Sequence, residues 1–245
     1  IQTDDDLLDA IPEEVNAATG PIAVEGAEPG DVLKVEIEDV RVNEDRGRVI
    51  TAPGFGLLQD DEEIDHPATR ITEVDGDTVN FDGIDVPIEP VIGTIGVATA
   101  GETIPTLTPH DHGGNLDTTD MTGGTTAYFP VFQEGAMLAM GDSKAAMADG
   151  EMCGTGAEIG TDIDITVSVI SEPEVGIDRP VVDTGEAVAR QILQRTSVPP
   201  APATAPIELL TTGDPNHLTA MARRLFEFAG PAERIPVTTT HEPGD

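Results

Sequence analysis

The densest run of groups able to do chemistry is Pro109-His110-Asp111-His112-Gly113-Gly114-Asn115-Leu116-Asp117-Thr118-Thr119-Asp120. It places two histidines at i and i+2, with three aspartates among them. On a strand, residues i and i+2 point to one face, so His110 and His112 can reach one ion. Imidazole with carboxylate suits zinc and several other divalent cations. The run lacks the His-Glu-x-x-His spacing of a helix-borne zinc site. A solvated loop of turn-forming Asp and Asn has the same composition.

A second run is Gly141-Asp142-Ser143-Lys144, followed by Asp149-Gly150-Glu151-Met152-Cys153-Gly154. Asp149-Gly150 predicts a turn. Glu151 then stands between a turn and small residues, where partial burial would raise its pKa and suit it to moving protons. In a chain with 47 acids, an ordinary exposed carboxylate is the competing account. Lys144, Glu151 and Cys153 are also the residue types of a Cys-Glu-Lys amidase triad, in which the thiolate attacks and the ammonium steadies the oxyanion. That triad is gathered from distant strand ends of an α/β fold, whereas these three fall within ten residues. Cys153 therefore reads as a small packed residue beside Gly154.

The elements that must position these runs are short strands. Ile22, Val24, Val32, Val35, Ile37 and Val40 predict two strands around the turn Glu28-Pro29-Gly30-Asp31. Residues 71–81 repeat the pattern around Asp75-Gly76-Asp77. Val91-Ile92-Gly93-Thr94-Ile95-Gly96-Val97-Ala98 reads as a buried strand, with glycines where backbone approaches closely. Ile163, Ile165, Val167 and Val169 alternate with polar residues, as a half-buried strand does. Short strands separated by Gly/Pro turns predict a mainly β sandwich or barrel with minor α/β elements.

The chain holds 47 acidic and 12 basic side chains, a formal charge of −35. Nucleic-acid binders need clustered Lys and Arg, and anionic membranes repel such a surface, so both partners are excluded. The acids are interspersed with apolar runs instead of massed in blocks, which separates the chain from acidic disordered segments. A halophile surface fits, because the Debye length falls to about 3 Å in molar salt. The single cysteine, Cys153, excludes an internal disulfide. No apolar run approaches the roughly 18 residues of a membrane span, and no signal segment opens the chain. These features predict a soluble cytoplasmic protein.

Composition changes near residue 190. Residues 1–189 hold 41 acids and seven bases, whereas residues 190–245 hold six acids and five bases. The expected organisation is a β domain over 1–189, then a tail over 190–245. That tail has a Pro-rich linker at 197–206 and a helix at 216–229.

Five segments in order resemble the acetamidase/formamidase family. They are Gly20 to Asp31, Pro90 to Ala98, His112-Gly113-Gly114-Asn115-Leu116-Asp117, Pro130-Val131-Phe132 with Gly141-Asp142, and Asp149-Gly150-Glu151. The resemblance covers about residues 1–189. It implies a mainly β fold, a homodimer or larger homo-oligomer, and hydrolysis of a short linear amide such as formamide or acetamide to a carboxylate and ammonia. The family commonly has His where this chain has Lys144, and its C-terminal region is not recognisable after about residue 190.

The site expected on this basis holds a divalent metal such as zinc on His112, Asp117 and Asp142. The ion would lower the pKa of bound water to about 7. Glu151 would take the water proton and return it to the leaving ammonia. Asn115 would donate to the oxyanion, and Lys144 would stabilise negative charge directly. The alternative is a non-catalytic β-sandwich that binds an ion or small ligand. Repulsion within the acidic body yields the first prediction. Thermal unfolding followed from low to molar KCl should show a rising midpoint, and a flat midpoint overturns the halophile reading.

Overall fold

Val35 and Ile37 alternate with Lys34 and Glu36, the pattern of a strand with one wet face. They lie in β2 (Val32–Val42) of the computed structural model, which describes residues 16–173, 176–184, 209–211 and 232–234. The alternation fails at Glu38-Asp39. There the register slips, with Ile37 facing Ile165 and Asp39 facing Asp164. Glu38 is the extra residue of a β-bulge. The bulge returns Val40 to the buried face, at 5% exposure.

Around β2 stands an antiparallel sheet. β11 (Thr161–Ile170) flanks it on one side, and β9 (Thr126–Pro130) with β12 (Val181–Asp183) on the other. A second antiparallel sheet has the order β1 (Ala18–Ile22), β10 (Leu138–Lys144), β7 (Val91–Gly96), β8 (Gly113–Asn115). Leu33, Val35 and Ile37 of β2 and Phe129 of β9 meet Ile92 and Ile95 of β7 and Leu138 of β10 in one core. Each such burial contributes about 1.5–3 kcal/mol, and together they hold the two sheets face to face.

A third sheet is the antiparallel meander β3 (Arg46–Thr51), β4 (Ala68–Asp75), β5 (Thr78–Phe81), β6 (Ile84–Pro87). Asp75 pairs with Thr78 across a two-residue turn, where Gly76 takes φ 59°. Val79 and the partly buried Val49, Val74 and Val86 pack against Ala145, Ala157 and Ile159 in a smaller core. The segment through Glu158 staples this sheet to the sandwich. Glu158 bridges Arg48 of β3 on one side and Lys144 of β10 on the other.

The strands at 71–81 and 161–170 lie where alternation places them, and the run at 91–96 is the buried strand expected of it. The turn at 28–31 does not close a hairpin, because β1 pairs with β10 while β2 pairs with β11 and β9. Among the described residues there is no helix, so the minor α/β elements expected from sequence are absent from them, and no helix there is long and apolar enough to cross a membrane. The chain divides into two compact units, Ile1–Arg195 and Thr196–Asp245. The second contains the parallel pair β13 (Leu209–Thr211) and β14 (Ala232–Arg234). The expected linker at 197–206 and helix at 216–229 lie outside the described residues. Phe129 is fully buried between the sheets, so Phe129→Ala should cost about 3–5 kcal/mol in urea unfolding. Ile170→Ala, at a site 38% exposed, should stay within about 0.5 kcal/mol.

Candidate active site

Lys144 ends β10 with a side chain only 2% exposed. A buried ammonium without partners costs several kcal/mol. This one is surrounded by acids. Lys144 Nζ donates to Asp117 Oδ1 at 2.6 Å and to Asp142 Oδ2 at 2.8 Å. Glu151 Oε1 lies at 3.4 Å and Glu158 Oε1 at 3.8 Å.

Local structure brings these groups together. Asp142 is on β10 two residues before the lysine. The backbone N–H of Asp117 donates to the Gly93 carbonyl of β7, which fixes the loop after β8 beside β10. Thr119 Oγ1 donates to Asp149 Oδ1 at 2.8 Å, tying that loop to the turn that carries Glu151. Glu158 is placed by its neighbours, since Ala145 donates to Ala157 O and Ile159 to Ser143 O. Gly93 makes the room. A Cβ there would strike Lys144 Nζ and lie 2.5 Å from Asp142 Oδ2.

Asp117, Asp142 and Glu151 all have positive φ, at 40°, 54° and 37°. Aspartate tolerates this region better than most residues, and glutamate poorly. Such conformations cost about 1–3 kcal/mol each and concentrate at functional sites. Three of the four acids around one lysine share the feature.

The electrostatics follow from burial and crowding. Burial pushes the carboxyl pKa values of Asp117 and Glu151 up, against the opposing pull of Lys144. Burial likewise drives Glu158 well above the usual carboxylate range, with Lys144 opposing and Asp142 adding to the rise. For Lys144 burial is the largest single influence and works to discharge it. Glu158, Asp142 and the hydrogen bonds from Lys144 to Asp117 and Asp142 together outweigh that, and its pKa is raised. Glu151 Oε1 is buried and makes no hydrogen bond among the described residues, although the ammonium is in ion-pair range.

Asn115 adjoins this ring through Thr94. Its amide oxygen accepts from Thr94 Oγ1 at 2.7 Å and from Asn16 Nδ2 at 3.1 Å, which leaves only its nitrogen to donate. Thr94 Oγ1 also stands 3.4 Å from Asp142 Oδ2.

His112 adjoins the ring through Thr94, which lines the same depression as the imidazole and stands 3.4 Å from Asp142 Oδ2. His110 and Gly113 exchange backbone hydrogen bonds, so Asp111 and His112 form the tip of a tight turn, not one face of a strand. The His112 ring lines a depression of about 620 Å³ with Thr94, Thr106 and Gln133. Burial and then His110 lower its pKa, while Asp111 opposes. Asp117 and Asp142 thus share one space with Glu151 and Lys144. Among the described residues no open cluster of three or more His, Cys, Asp or Glu side chains is placed to hold a metal ion. A divalent ion does not fit the ring as folded, because the ammonium already occupies the point where the oxygens converge, and like charges at that range repel by several kcal/mol. The Cys153 thiol donates to the Thr155 carbonyl and has no place in the ring.

Sequence reasoning passed over Glu158, Thr94 and Asn16 as site residues, and read Gly93 only as a point of close backbone approach. The available signal for Glu158 was a lone acid inside the small-residue run Gly154-Thr155-Gly156-Ala157-Glu158-Ile159-Gly160.

Fold and site together define an antiparallel β protein with a buried lysine in a ring of carboxylates. The chain belongs to the Acetamidase/Formamidase family, whose sequence profile matches residues 2–105 and 98–198. It is 29% identical over 233 residues to the formamidase of Methylophilus methylotrophus, covering 72% of this chain and 57% of that one. It is also 29% identical over 214 residues to the acetamidase of Mycolicibacterium smegmatis, covering 62% and 53%. The crystal structure of an acetamidase from Bacillus halodurans superposes with a TM-score of 0.67 at 42% identity, over 72% of this chain and 59% of that one. A predicted acetamidase/formamidase from Thermoanaerobacter tengcongensis gives 0.64 at 41% identity, over 69% and 55%. The chain spans about half the length of the curated relatives it matches.

Gly93 provides a test of how the site is seated. Gly93→Ala should push Lys144 and Asp142 apart and lower stability by about 1–3 kcal/mol, read as a lower urea midpoint. An unchanged midpoint would show that the ring does not depend on that space.

Proposed function

We propose that this chain hydrolyses short linear amides, such as formamide or acetamide, to the carboxylate and ammonia. The observation that carries the reading is the pairing of Glu151 Oε1, buried and without a hydrogen bond, with Lys144 Nζ at 3.4 Å. Membership of the family and relatives named formamidase and acetamidase support the substrate class.

An ammonium has three N–H donors. Lys144 gives two of them to Asp117 and Asp142. The third remains for the carbonyl oxygen of an amide held beside Glu151. The Glu151 carboxylate takes a proton from water as the water oxygen bonds to the carbonyl carbon. The carbonyl π electrons move onto oxygen, where Lys144 and the Asn115 amide nitrogen stabilise the charge. When the C–N bond breaks, nitrogen keeps the pair and receives the proton from Glu151. The positive charge that polarises the amide comes from the chain itself.

The finer setting belongs to the same reading. One cysteine and the acidic composition support a reducing, salt-rich cytoplasm. Phe55, Leu57 and Met152, all exposed, support a homo-oligomer.

Glu151→Gln should lower ammonia release from formamide by roughly 10²–10⁴-fold with the melting midpoint retained. Glu151 must be ionised to act as base, and burial raises its pKa above the ordinary 4.5. The acid limb of kcat/KM should therefore fall at a pH above that value and vanish in the variant. A folded wild-type chain that releases no ammonia from either amide would favour the non-catalytic ligand-binding alternative.

A further inference from the structure

The oxygens around Lys144 Nζ come from four separate pieces of chain. Asp117 is supplied by the loop after β8, Asp142 by β10, Glu151 by a turn and Glu158 by the segment that staples β3 to β10. Hard divalent cations are held in this manner, by convergent oxygens from several loops. Here the centre is an ammonium. Two glycines shape the space for it. A Cβ at Gly93 would strike the nitrogen, and one at Gly156 would lie 2.7 Å from Lys144 Cγ. The head and the stem of the lysine are thus both seated against backbone. The side chain is 2% exposed, so it has no room to swing aside for an ion.

We propose that Lys144 is a built-in cation, holding among Asp117, Asp142, Glu151 and Glu158 the place a divalent metal would take, so that the site is metal-independent.

The acids hold the lysine in its charged form, as their effect on it requires. A permanent ammonium offers directional donors and no coordination sphere. It therefore supplies electrostatic stabilisation without binding water as a ligand. The inference rests on the geometry of the ring and not on the amidase reading. A metal-independent chain that releases no ammonia overturns only the latter.

The test is metal binding by the purified chain. Wild type dialysed against chelator should contain well under one ion per chain by mass spectrometry. Its melting midpoint should be the same in chelator and in millimolar calcium, magnesium or zinc. Lys144→Ala should leave the oxygens around an open centre and gain saturable calcium binding by calorimetry, at roughly 10⁻⁴ M or tighter. Its melting midpoint should then rise with added calcium, as mass action requires. Adding Asp142→Asn to that variant should weaken the gained binding at least several-fold. A wild-type chain that retains about one ion per molecule and melts lower when it is stripped overturns the proposal. So does a folded Lys144→Ala chain that binds none of the three ions. If Lys144→Ala does not fold, the wild-type ion content and chelator response decide the matter.

Discussion

One buried positive charge organises the junction of β7, β8 and β10 with the segment through Glu158. Lys144 Nζ has four carboxylate oxygens within 3.8 Å, and each belongs to a different stretch of chain. Satisfying the ammonium therefore requires β10 to lie against β7, the loop after β8 to fold back onto Gly93, and the segment through Glu158 to run between two sheets. Removing the charge alone would leave up to four negative groups facing one another. Breaking a buried pair in this way is usually more damaging than replacing it whole. The three positive-φ acids are the backbone's share of that cost.

The chain's electrostatics have two separate regimes. At the surface, a formal charge of −35 produces repulsion that salt screens over a few ångströms. Inside, the acids around Lys144 are screened little, because their side chains are mostly buried. Salt should thus act on the stability of the body far more than on the balance within the ring. The two regimes also have opposite signs for the acids. Outside, each carboxylate adds to an excess. Inside, Asp117 and Glu151 have raised pKa values because burial outweighs the lysine that sits beside them. A single chain can hence be strongly acidic overall and still keep carboxyls able to exchange protons nearer neutrality.

The strands were legible wherever one face is wet, because alternation reports burial directly. Ile163 to Val169 and the hairpin around Gly76 are examples. Strand partners were not legible. Alternation says which face is buried, but not which strand lies alongside, so the turn at 28–31 looked like a hairpin although it joins two sheets. Residue types in the two polar runs pointed to Asp117, Asp142, Glu151 and Lys144, but types alone do not say which group sits at the centre. A ring of carboxylates reads equally as a metal site and as the seat of a lysine. The strand rule that aimed His110 and His112 at one face fails, because Asp111 and His112 form the tip of a tight turn. Glu158 gave little signal because its surroundings in sequence are small residues, whose burial is visible only once β3 and β10 are brought together.

The use of lysine at such a centre has a chemical consequence. A divalent metal polarises a carbonyl strongly and also generates hydroxide from bound water. An ammonium can do the first and not the second. In the proposed amide hydrolysis, water is then activated by a carboxylate whose pKa is high enough to hold a proton between the two halves of the reaction. Burial raises Glu151 in that direction, and Glu158 further still. The same low-exposure setting that makes the lysine costly to bury therefore tunes the acids beside it. A more solvated Lys144 would need fewer acids, and those acids would return toward ordinary values and lose their hold on the proton. The seat of the cation and the basicity of its neighbours are thus consequences of one packing arrangement, set by the small residues at 93 and 156.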